Sequence, residues 1–363
     1  VETAAEAEVL ALPDKPSIAV LPFNNMSGDT EQEYFADGIA EDLITGLSRM
    51  RWFFVCARNS SFLYKGRSVD MKQVSNELGV RYVLEGSVRK SGNRVRVTAQ
   101  LIDATTGNHL WADRFDRELD DIFAVQDEIT ETVVATIEPQ LYVAESERAR
   151  RKSTGNIDAW DLTMRAMRLL WRLNGPDNER AQELLREAIE LDPDYASAYG
   201  PLGFSYTWHA WMGWGTDPVD LIPKADAVAR RAVVLDDQDP WSHLAMAGVY
   251  AYQRRHQDAL DELRICLELN PNFALAHAWL AIVLGYGGKL EEANEAVDRA
   301  NRISPRDPFN TWLPVIRSIA YFTAEKHAEA RELAKETIKL RPEMVGAWRI
   351  VAIACAHMGR TEE

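Results

Sequence analysis

The stretch ALAHAWLAIVLGYGGKLEEANEAVDRANRISPRD, residues 274–307, decides how the larger part of this chain folds. It predicts two helices that pack on each other, because small residues fall where two helices must approach closely: Ala281 in the first, Ala293 and Ala300 in the second. Pro305 ends the second helix, since proline cannot continue one. The apolar filling between the two comes from Leu280, Leu284 and Val297.

The same unit recurs along the chain at a nearly constant interval. The segments AIELDP, AVVLDD, CLELNP, ANRISP and TIKLRP end at Pro193, Asp237, Pro271, Pro305 and Pro342. Successive ends are 44, 34, 34 and 37 residues apart, and 34 is the tetratricopeptide (TPR) period, so the other intervals carry insertions of 10 and 3. We therefore predict an all-α TPR superhelix over residues 157–363, with about five repeats and a partial terminal one.

The repeat predicts a binding groove. Stacked helical hairpins form a right-handed superhelix whose concave face is lined mainly by the first helix of each unit. In this frame the concave face presents Phe204, Trp208, Trp241, Leu244, Tyr252, Ile282 and Tyr286, and the larger insertion adds Trp211 and Trp214. Such a surface favours a protein or peptide partner, bound as a helix or as an extended apolar segment. The alternative is that these side chains form core between hairpins, or are covered by the insertion itself.

Residues 16–152 predict an α/β domain with a mixed sheet, preceded by a linker over residues 1–15. Buried strands are predicted at Ser17–Phe23, Phe53–Ala57 and Tyr82–Val88, with one helix capped by Asp29 or Thr30 and another at Val69–Leu78, ended by Gly79. Alternating strands and helices imply parallel crossovers. Gly92-Asn93 separates two segments of alternating polarity and adds at least one antiparallel strand. A last helix is predicted from Ile122 to Leu141.

Polar residues follow the first two predicted strands. They are Asn24, Asn25, Ser27 and Asp29 after the first strand, and Arg58, Asn59, Ser60 and Ser61 after the second. In a parallel arrangement both loops open at the same sheet edge, where α/β sheets bind ligands, with Arg58 as the counter-charge of an anion. A small effector is therefore one predicted ligand of this domain. The alternative is that the first group forms a turn and a helix cap, and that the second satisfies backbone groups.

Composition and motifs narrow the function. The net charge of −15 repels phosphate backbones, which argues against nucleic-acid binding by this chain. The three cysteines lie among apolar neighbours and are expected to be buried thiols in a reducing compartment. The sequence contains no apolar stretch long enough for a membrane segment and no phosphate-loop, dinucleotide, zinc-protease or nucleophile-elbow motif. The histidines are scattered. We therefore expect no metal, no cofactor and no catalytic site, hence not an enzyme.

Three long motifs, in order, resemble a known bacterial family. They are KPSIAVLPFNNMSGDTEQEYFADGIAEDLITGLS from Lys15, ARNSSFLYKG from Ala57, and ELGVRYVLEGSVRKSGNRVRVTAQLIDATTGNHLWADRFDRELDDIFAVQDEI from Glu77. Together they resemble the TolB-like amino-terminal module that precedes TPR arrays. The resemblance implies the C-terminal part of a longer signalling protein that begins with a class III adenylate/guanylate cyclase domain or a winged-helix DNA-binding domain.

The linker LALPDKPSIAVLPF, residues 10–23, is similar to that of cyclase-type members and favours that parent. The resemblance carries over no catalytic residues. It implies a non-catalytic regulatory region that binds a partner protein or a small effector, compatible with a homodimer, and that is cytoplasmic, or periplasmic if a membrane span precedes residue 1. The alternatives are an assembly scaffold, the sensor region of a winged-helix transcriptional regulator, and an enzyme acting on a phosphorylated ligand near Arg58.

Overall fold

A computed structural model describes residues 15–28, 33–50, 52–67, 69–118, 121–151, 158–215, 217–304, 308–342 and 344–360. Its internal contacts divide the chain into two compact units, Val1–Ala144 and Glu145–Glu363. The first contains a mixed sheet with helices, and the elements described in the second are all helices, which confirms the predicted fold class. The predicted caps Asp29 and Thr30, the predicted helix end at Pro305 and residues 1–14 of the predicted linker lie outside the described residues.

The first unit is built around a mixed β-sheet. In chain order its elements are β1 (Ser17–Val20), β2 (Asn24–Asn25), α1 (Glu33–Ser48), β3 (Phe54–Val55), α2 (Arg58–Ser61), α3 (Met71–Leu78), β4 (Tyr82–Ser91), β5 (Arg94–Asp103), β6 (Asn108–Glu118) and the part of α4 (Ile122–Arg151) up to Ala144. The strand order is β3-β1-β4-β5-β6, and β2 pairs with β4 off this path. The pairs β1/β3, β1/β4 and β2/β4 are parallel, whereas β4/β5 and β5/β6 are antiparallel.

Local sequence explains where these elements begin and end. The Asp70 side chain accepts a hydrogen bond from the backbone N–H of Lys72 and so starts α3, and Gly79 ends this helix in the left-handed conformation, as predicted. Gly92, at φ +60°, forms the tight loop of the β4/β5 hairpin. β6 adds a second antiparallel strand, in agreement with the prediction of at least one. The predicted end of α4 near Leu141 is wrong, because the helix continues to Arg151.

The two faces of the sheet have different surroundings. On one face Leu84, Val97 and Leu101 share a buried core with Ile39 of α1 and Ile129 of α4. The opposite face is covered at its parallel strands by a smaller core that includes Val74 of α3. Its antiparallel part instead carries polar side chains around an open cavity of about 510 Å³, lined among others by Glu85, Ser87, Thr98, Gln100 and Arg114.

The second unit is a series of antiparallel helical hairpins. Its helices are α5 (Ala159–Leu170), α6 (Gly175–Leu191), α7 (Ala196–Met212), α8 (Pro218–Leu235), α9 (Pro240–Tyr252), α10 (His256–Leu269), α11 (Ala274–Tyr286), α12 (Leu290–Ile303), α13 (Leu313–Thr323), α14 (His327–Leu340) and α15 (Val345–His357). Each odd-numbered helix from α5 to α13 pairs with the helix that follows it, and α15 packs on α14 and α13. None of the helices in the described ranges has both the length and the apolar composition needed to cross a bilayer.

A recurring hydrogen bond fixes the joint between successive hairpins. Near the start of four first helices, a side-chain donor bonds the carbonyl oxygen six residues earlier, in the preceding loop. These pairs are Tyr199 to Pro193 (2.8 Å), His243 to Asp237 (2.8 Å), His277 to Pro271 (2.9 Å) and Trp348 to Pro342 (2.9 Å). The acceptors are the residues that mark the repeat period in the sequence. The histidines at these positions therefore position loops, because their Nε2–H groups satisfy carbonyl groups of the loop that follows a helix.

Candidate functional site

The residues of the first predicted ligand group form part of the β-sheet and its hydrogen bonds. Asn24 and Asn25 form β2 and pair with Ser87 and Val88 of β4. The backbone N–H of Ser27 donates to Asn25 Oδ1 at 2.9 Å, and Ser27 Oγ accepts from the backbone N–H of Lys90 at 2.8 Å. The side chains of Asn25 and Ser27 therefore fix the C-terminal end of β2 and the turn after it against β4. Asp29, the fourth member of the group, lies outside the described residues.

The second predicted ligand group forms the short helix α2, which contains Arg58, Asn59 and Ser60. The Arg58 guanidinium makes an ion pair with Glu41 of α1 at 3.2 Å and lies over the Phe62 ring, 4.0 Å from its centroid. Arg58 therefore already has a carboxylate partner within the chain, and its role as the counter-charge of a bound anion stays a prediction.

A cavity of about 380 Å³ does open near the end of β1. It is lined by Leu21, Pro22, Asn24, Tyr64, Gly66, Arg67, Val69, Met71 and Glu85, so Asn24 is the predicted ligand residue that reaches it among those the structure describes. The Tyr64 hydroxyl donates to Glu77 Oε2 at 2.5 Å. Burial, followed by the hydrogen bond and the charge of Glu77, raises the pKa of the Tyr64 phenol well above its usual value, so Tyr64 stays protonated.

In the helical unit, the structure corrects the predicted groove at five of its nine residues. Phe204, Trp208, Trp241, Leu244 and Ile282 are at most 7% exposed. Small residues are the reason, since they bring the first helices of successive hairpins too close to leave a groove between them. A Cβ atom on Gly200 would lie 2.8 Å from the backbone carbonyl carbon of Trp241. The aromatic side chains therefore pack between helices as core, the alternative considered for them.

The segment Pro308–Trp312, a 3₁₀ turn before α13, fills the space beside Trp208. The ring centroids of Phe309 and Trp312 lie 5.4 and 4.9 Å from that of Trp208. Phe204 stacks on the same indole at 6.2 Å, and Trp279 of α11 contacts it edge-on at 6.2 Å. Trp208 is thus the centre of an aromatic cluster to which this turn contributes two rings.

An open groove remains toward the C-terminal ends of the first helices, with a volume of about 610 Å³. The aromatic residues that line it are Trp208, Trp211, Tyr252, Tyr286, Trp312 and Phe322. Tyr286 is 47% exposed, whereas Trp208 and Trp312 are buried and contribute only to the floor. Trp214 lies apart from this groove and lines a neighbouring cavity of about 450 Å³ with Leu173 and Met344. We call the larger cavity the aromatic groove.

The charge of the aromatic groove is positive. Arg254 and Arg349 line it, and neither forms an ion pair with any residue in the described part of the chain. No lining residue among those described is acidic. The indole N–H groups of Trp208 and Trp312 find no acceptor in the described protein. These two N–H groups are buried, so the donors that the groove offers to a ligand are those of the exposed Arg254 and Arg349. Aromatic walls with exposed arginines suit an apolar ligand that carries carboxylate or carbonyl oxygens.

Sequence reasoning missed Phe322, Arg254 and Arg349. A usable signal existed for the aromatic positions, because Trp208, Tyr252 and Tyr286 each follow the loop-bonding residue of their repeat by nine positions. The segment Pro308–Trp312 changes this frame in the next repeat, so Phe322 does not fall on the expected position. Arg254 lies in the loop after α9 with φ +62°, where helical periodicity gives no guidance.

Comparison with known families supports the repeat assignment. A model described as a tetratricopeptide repeat matches residues 244–308 and 317–363. The second unit is a TPR protein-interaction region. A second model, described as the second domain of a HilA/YgeH-like transcriptional regulator, matches residues 14–132. The α/β unit is therefore similar to a domain found in a class of transcriptional regulators.

One curated relative shares both units in part. "Putative adenylate cyclase 3" of Rhizobium meliloti (strain 1021) is 48% identical over 250 residues. The match covers 68% of this chain and 42% of the relative, so the chain spans less than half of that protein's length.

Three solved structures match parts of this chain, each with a TM-score below 0.5. A thermophilic TPR protein of Thermus thermophilus is 15% identical, with 55% of this chain and 99% of that one covered at a TM-score of 0.41. The human IFIT1 dimer with m7Gppp-AAAA is 12% identical, with coverage of 67% and 58% and a TM-score of 0.49. TolB from Acinetobacter baumannii is 20% identical, with coverage of 36% and 29% and a TM-score of 0.26.

Proposed function

We propose that this chain is a non-catalytic regulatory region of a bacterial signalling protein, and that its aromatic groove binds a peptide segment of a partner protein. The observation that carries the proposal is the combination of aromatic walls with Arg254 and Arg349, two arginines without intramolecular ion-pair partners among the described residues, in a protein of net charge −15. A groove with this composition favours a segment that has apolar anchors and acidic residues, because an arginine that a bound ligand removes from water gains most from a carboxylate partner.

Selection from a random peptide library against the full chain tests the binding proposal. Peptides enriched in acidic and aromatic or leucine residues are expected. Their affinity should fall at least about tenfold with Arg349→Glu, since a charge-assisted hydrogen bond contributes about 1.5–3 kcal/mol. Arg264→Glu is the matched control, because Arg264 is an exposed arginine on α10 outside the groove. Equal losses in both variants, or none in either, would show that the peptides bind elsewhere.

The parent protein is inferred from similarity. We infer a class III adenylate/guanylate cyclase, cytoplasmic, with a TolB-like domain over residues 16–152 and the repeats over 157–363. The motifs quoted above and the 48% identity to the Rhizobium relative support this parent. Cyclic nucleotide production by the full-length protein, with and without Arg349→Glu, tests it. Peptide binding that changes production only when Arg349 is present supports control through the groove, whereas a parent without a cyclase domain removes cyclase control.

A sensor region of a winged-helix regulator is the second candidate, favoured by the HilA/YgeH-like match over residues 14–132. Hydrogen exchange separates a sensor from a passive scaffold in either parent. A scaffold should leave exchange in the α/β unit unchanged when the peptide binds. A sensor should change it at residues 24–28 and 58–61. Asn24 lines the cavity at the end of β1, which is the candidate pocket for a small effector.

A further inference from the structure

Strand β6 (Asn108–Glu118) is an edge of the sheet, with β5 on one side. The β4/β5 loop has two residues, so Ser91 and Arg94 beside it exchange hydrogen bonds. Every second residue of β5 after Arg94 therefore bonds to β4, and the residues between them bond to β6. In this register the backbone N–H and C=O groups of the odd-numbered residues of β6, among them Phe115, point toward β5. The N–H and C=O groups of its even-numbered residues point outward, from Ala112 to Glu118.

The charges on this edge are arranged symmetrically. The sequence Asp113-Arg114-Phe115-Asp116-Arg117 has opposite charges at equal distances on either side of Phe115. An antiparallel copy of the strand, centred on Phe115, places Arg114 opposite Asp116 and Asp113 opposite Arg117. The same two pairs occur again on the other side of the two-fold axis. Opposite charges directly across two strands stabilise their pairing, and like charges destabilise it.

We propose that two copies of this chain associate through β6, antiparallel and centred on Phe115, and so join their sheets into one. The outward hydrogen bonds fit this register, because Arg114 and Asp116 are both even-numbered and can exchange their backbone bonds directly. The interface gives a homodimer with a two-fold axis through Phe115, a closed and self-complementary arrangement.

The neighbouring registers are disfavoured by charge. Pairings that keep even residues opposite even residues can also be centred on Arg114 or on Asp116. The first places Arg114 against its own copy, and the second does the same for Asp116. Charged residues on an edge strand usually prevent association. Here residues at equal distances on either side of Phe115 carry opposite charges. The edge therefore repels strands in other registers and attracts a copy of itself in this one.

Contacts within one chain already hold these side chains in place. Arg96 of β5 donates to both carboxylate oxygens of Asp116, at 2.6 and 3.1 Å. Arg117 donates to Glu128 of α4 at 3.0 Å. Arg114 is the least constrained of the set: its side chain is 60% exposed, and its contact with Asp116 is long, at 3.4 Å. In the dimer it extends the row of charges on the open face of the sheet, from Arg96 through Asp116 to Arg114 of the second copy.

Sedimentation equilibrium of the full chain tests the proposal. The wild type is expected to dimerise, and Arg114→Asp should weaken the dimer at least about tenfold, because two attractive pairs become repulsive. Asp116→Arg alone should do the same. An equimolar mixture of the two variants restores both pairs in a heterodimer and should recover association to near the wild-type constant. Ala112→Pro, which removes an outward N–H, should also weaken it.

Arg89→Asp is the matched control. Arg89 is an exposed arginine on β4, an interior strand, and pairs with Arg96 in the register. This substitution changes net charge as Arg114→Asp does and should leave the association constant unchanged, and far-UV circular dichroism verifies the fold of each variant. The proposal is overturned if the wild type stays monomeric, if Arg114→Asp dimerises as well as the wild type, or if the mixture of variants fails to associate.

Discussion

Trp208→Ala should lower the free energy of unfolding much more than Tyr286→Ala, although the two residues occupy the same position of their repeats. Both residues follow the loop-bonding residue of their repeat by nine positions, but Trp208 is 2% exposed and Tyr286 is 47% exposed. Removing a buried tryptophan costs about 3–5 kcal/mol. Its indole N–H has no acceptor in the described protein, and removal of an unsatisfied buried donor returns about 1 kcal/mol or more, so Trp208→Ala should cost about 3 kcal/mol.

The half-exposed Tyr286 has much less apolar surface to lose, and Tyr286→Ala should cost about 1 kcal/mol or less. Trp208→Phe, which keeps most of the ring and removes the N–H, should fall between the two. Urea unfolding followed by far-UV circular dichroism measures these costs, and similar slopes against urea concentration in all variants validate the comparison. If Trp208→Ala costs no more than Tyr286→Ala, then Trp208 is not the centre of a packed cluster.

Three further predictions concern other parts of the repeats. Burial lowers the pKa of His243, but the hydrogen bonds with Glu262 and a loop carbonyl outweigh it, so the folded-state pKa is raised. The stability that His243 contributes is therefore full below its unfolded pKa of about 6.5 and is lost as pH rises through the folded value; His243→Gln should abolish this part of the pH dependence of unfolding. Gly200→Ala should cost about 1–3 kcal/mol because its Cβ would meet backbone at 2.8 Å, whereas Gly346→Ala, with nothing within 4 Å, should not destabilise the chain in the same urea titration. Burial raises the pKa of the Cys266 thiol, so mass spectrometry should detect alkylation of Cys266 only after unfolding, and labelling of the native chain would contradict its burial.

Local signals in the sequence account for much of the fold. Gly79 and Gly92 end a helix and turn a hairpin where predicted, because both adopt positive φ at little cost. The carbonyl groups at Pro193 and Pro271, which mark the repeat period, accept the bonds that fix successive hairpins. These features depend on residues close together in the chain, and periodicity and turn chemistry reveal them.

The candidate sites were less accessible to sequence reasoning. Helical periodicity shows which residues lie on one face of a helix, but it does not give the distance to the neighbouring helix. That distance decides that Trp241 is buried in the core and that Tyr286 is exposed in a groove. The partner of Arg58 is Glu41, seventeen positions away in a different helix, and no local pattern predicts that pair. The turn that packs Trp312 against Trp208 belongs to a different repeat.

The two fold classes and the repeat period can be read from the amino-acid sequence, because each is encoded in spacings of a few residues. The burial of the aromatic side chains, the place of the open groove and the arginines that line it become apparent only when the helices are packed in three dimensions. The physical reason is that burial and charge pairing depend on distances between segments far apart in the chain, which are fixed by the packing of all the helices and strands together.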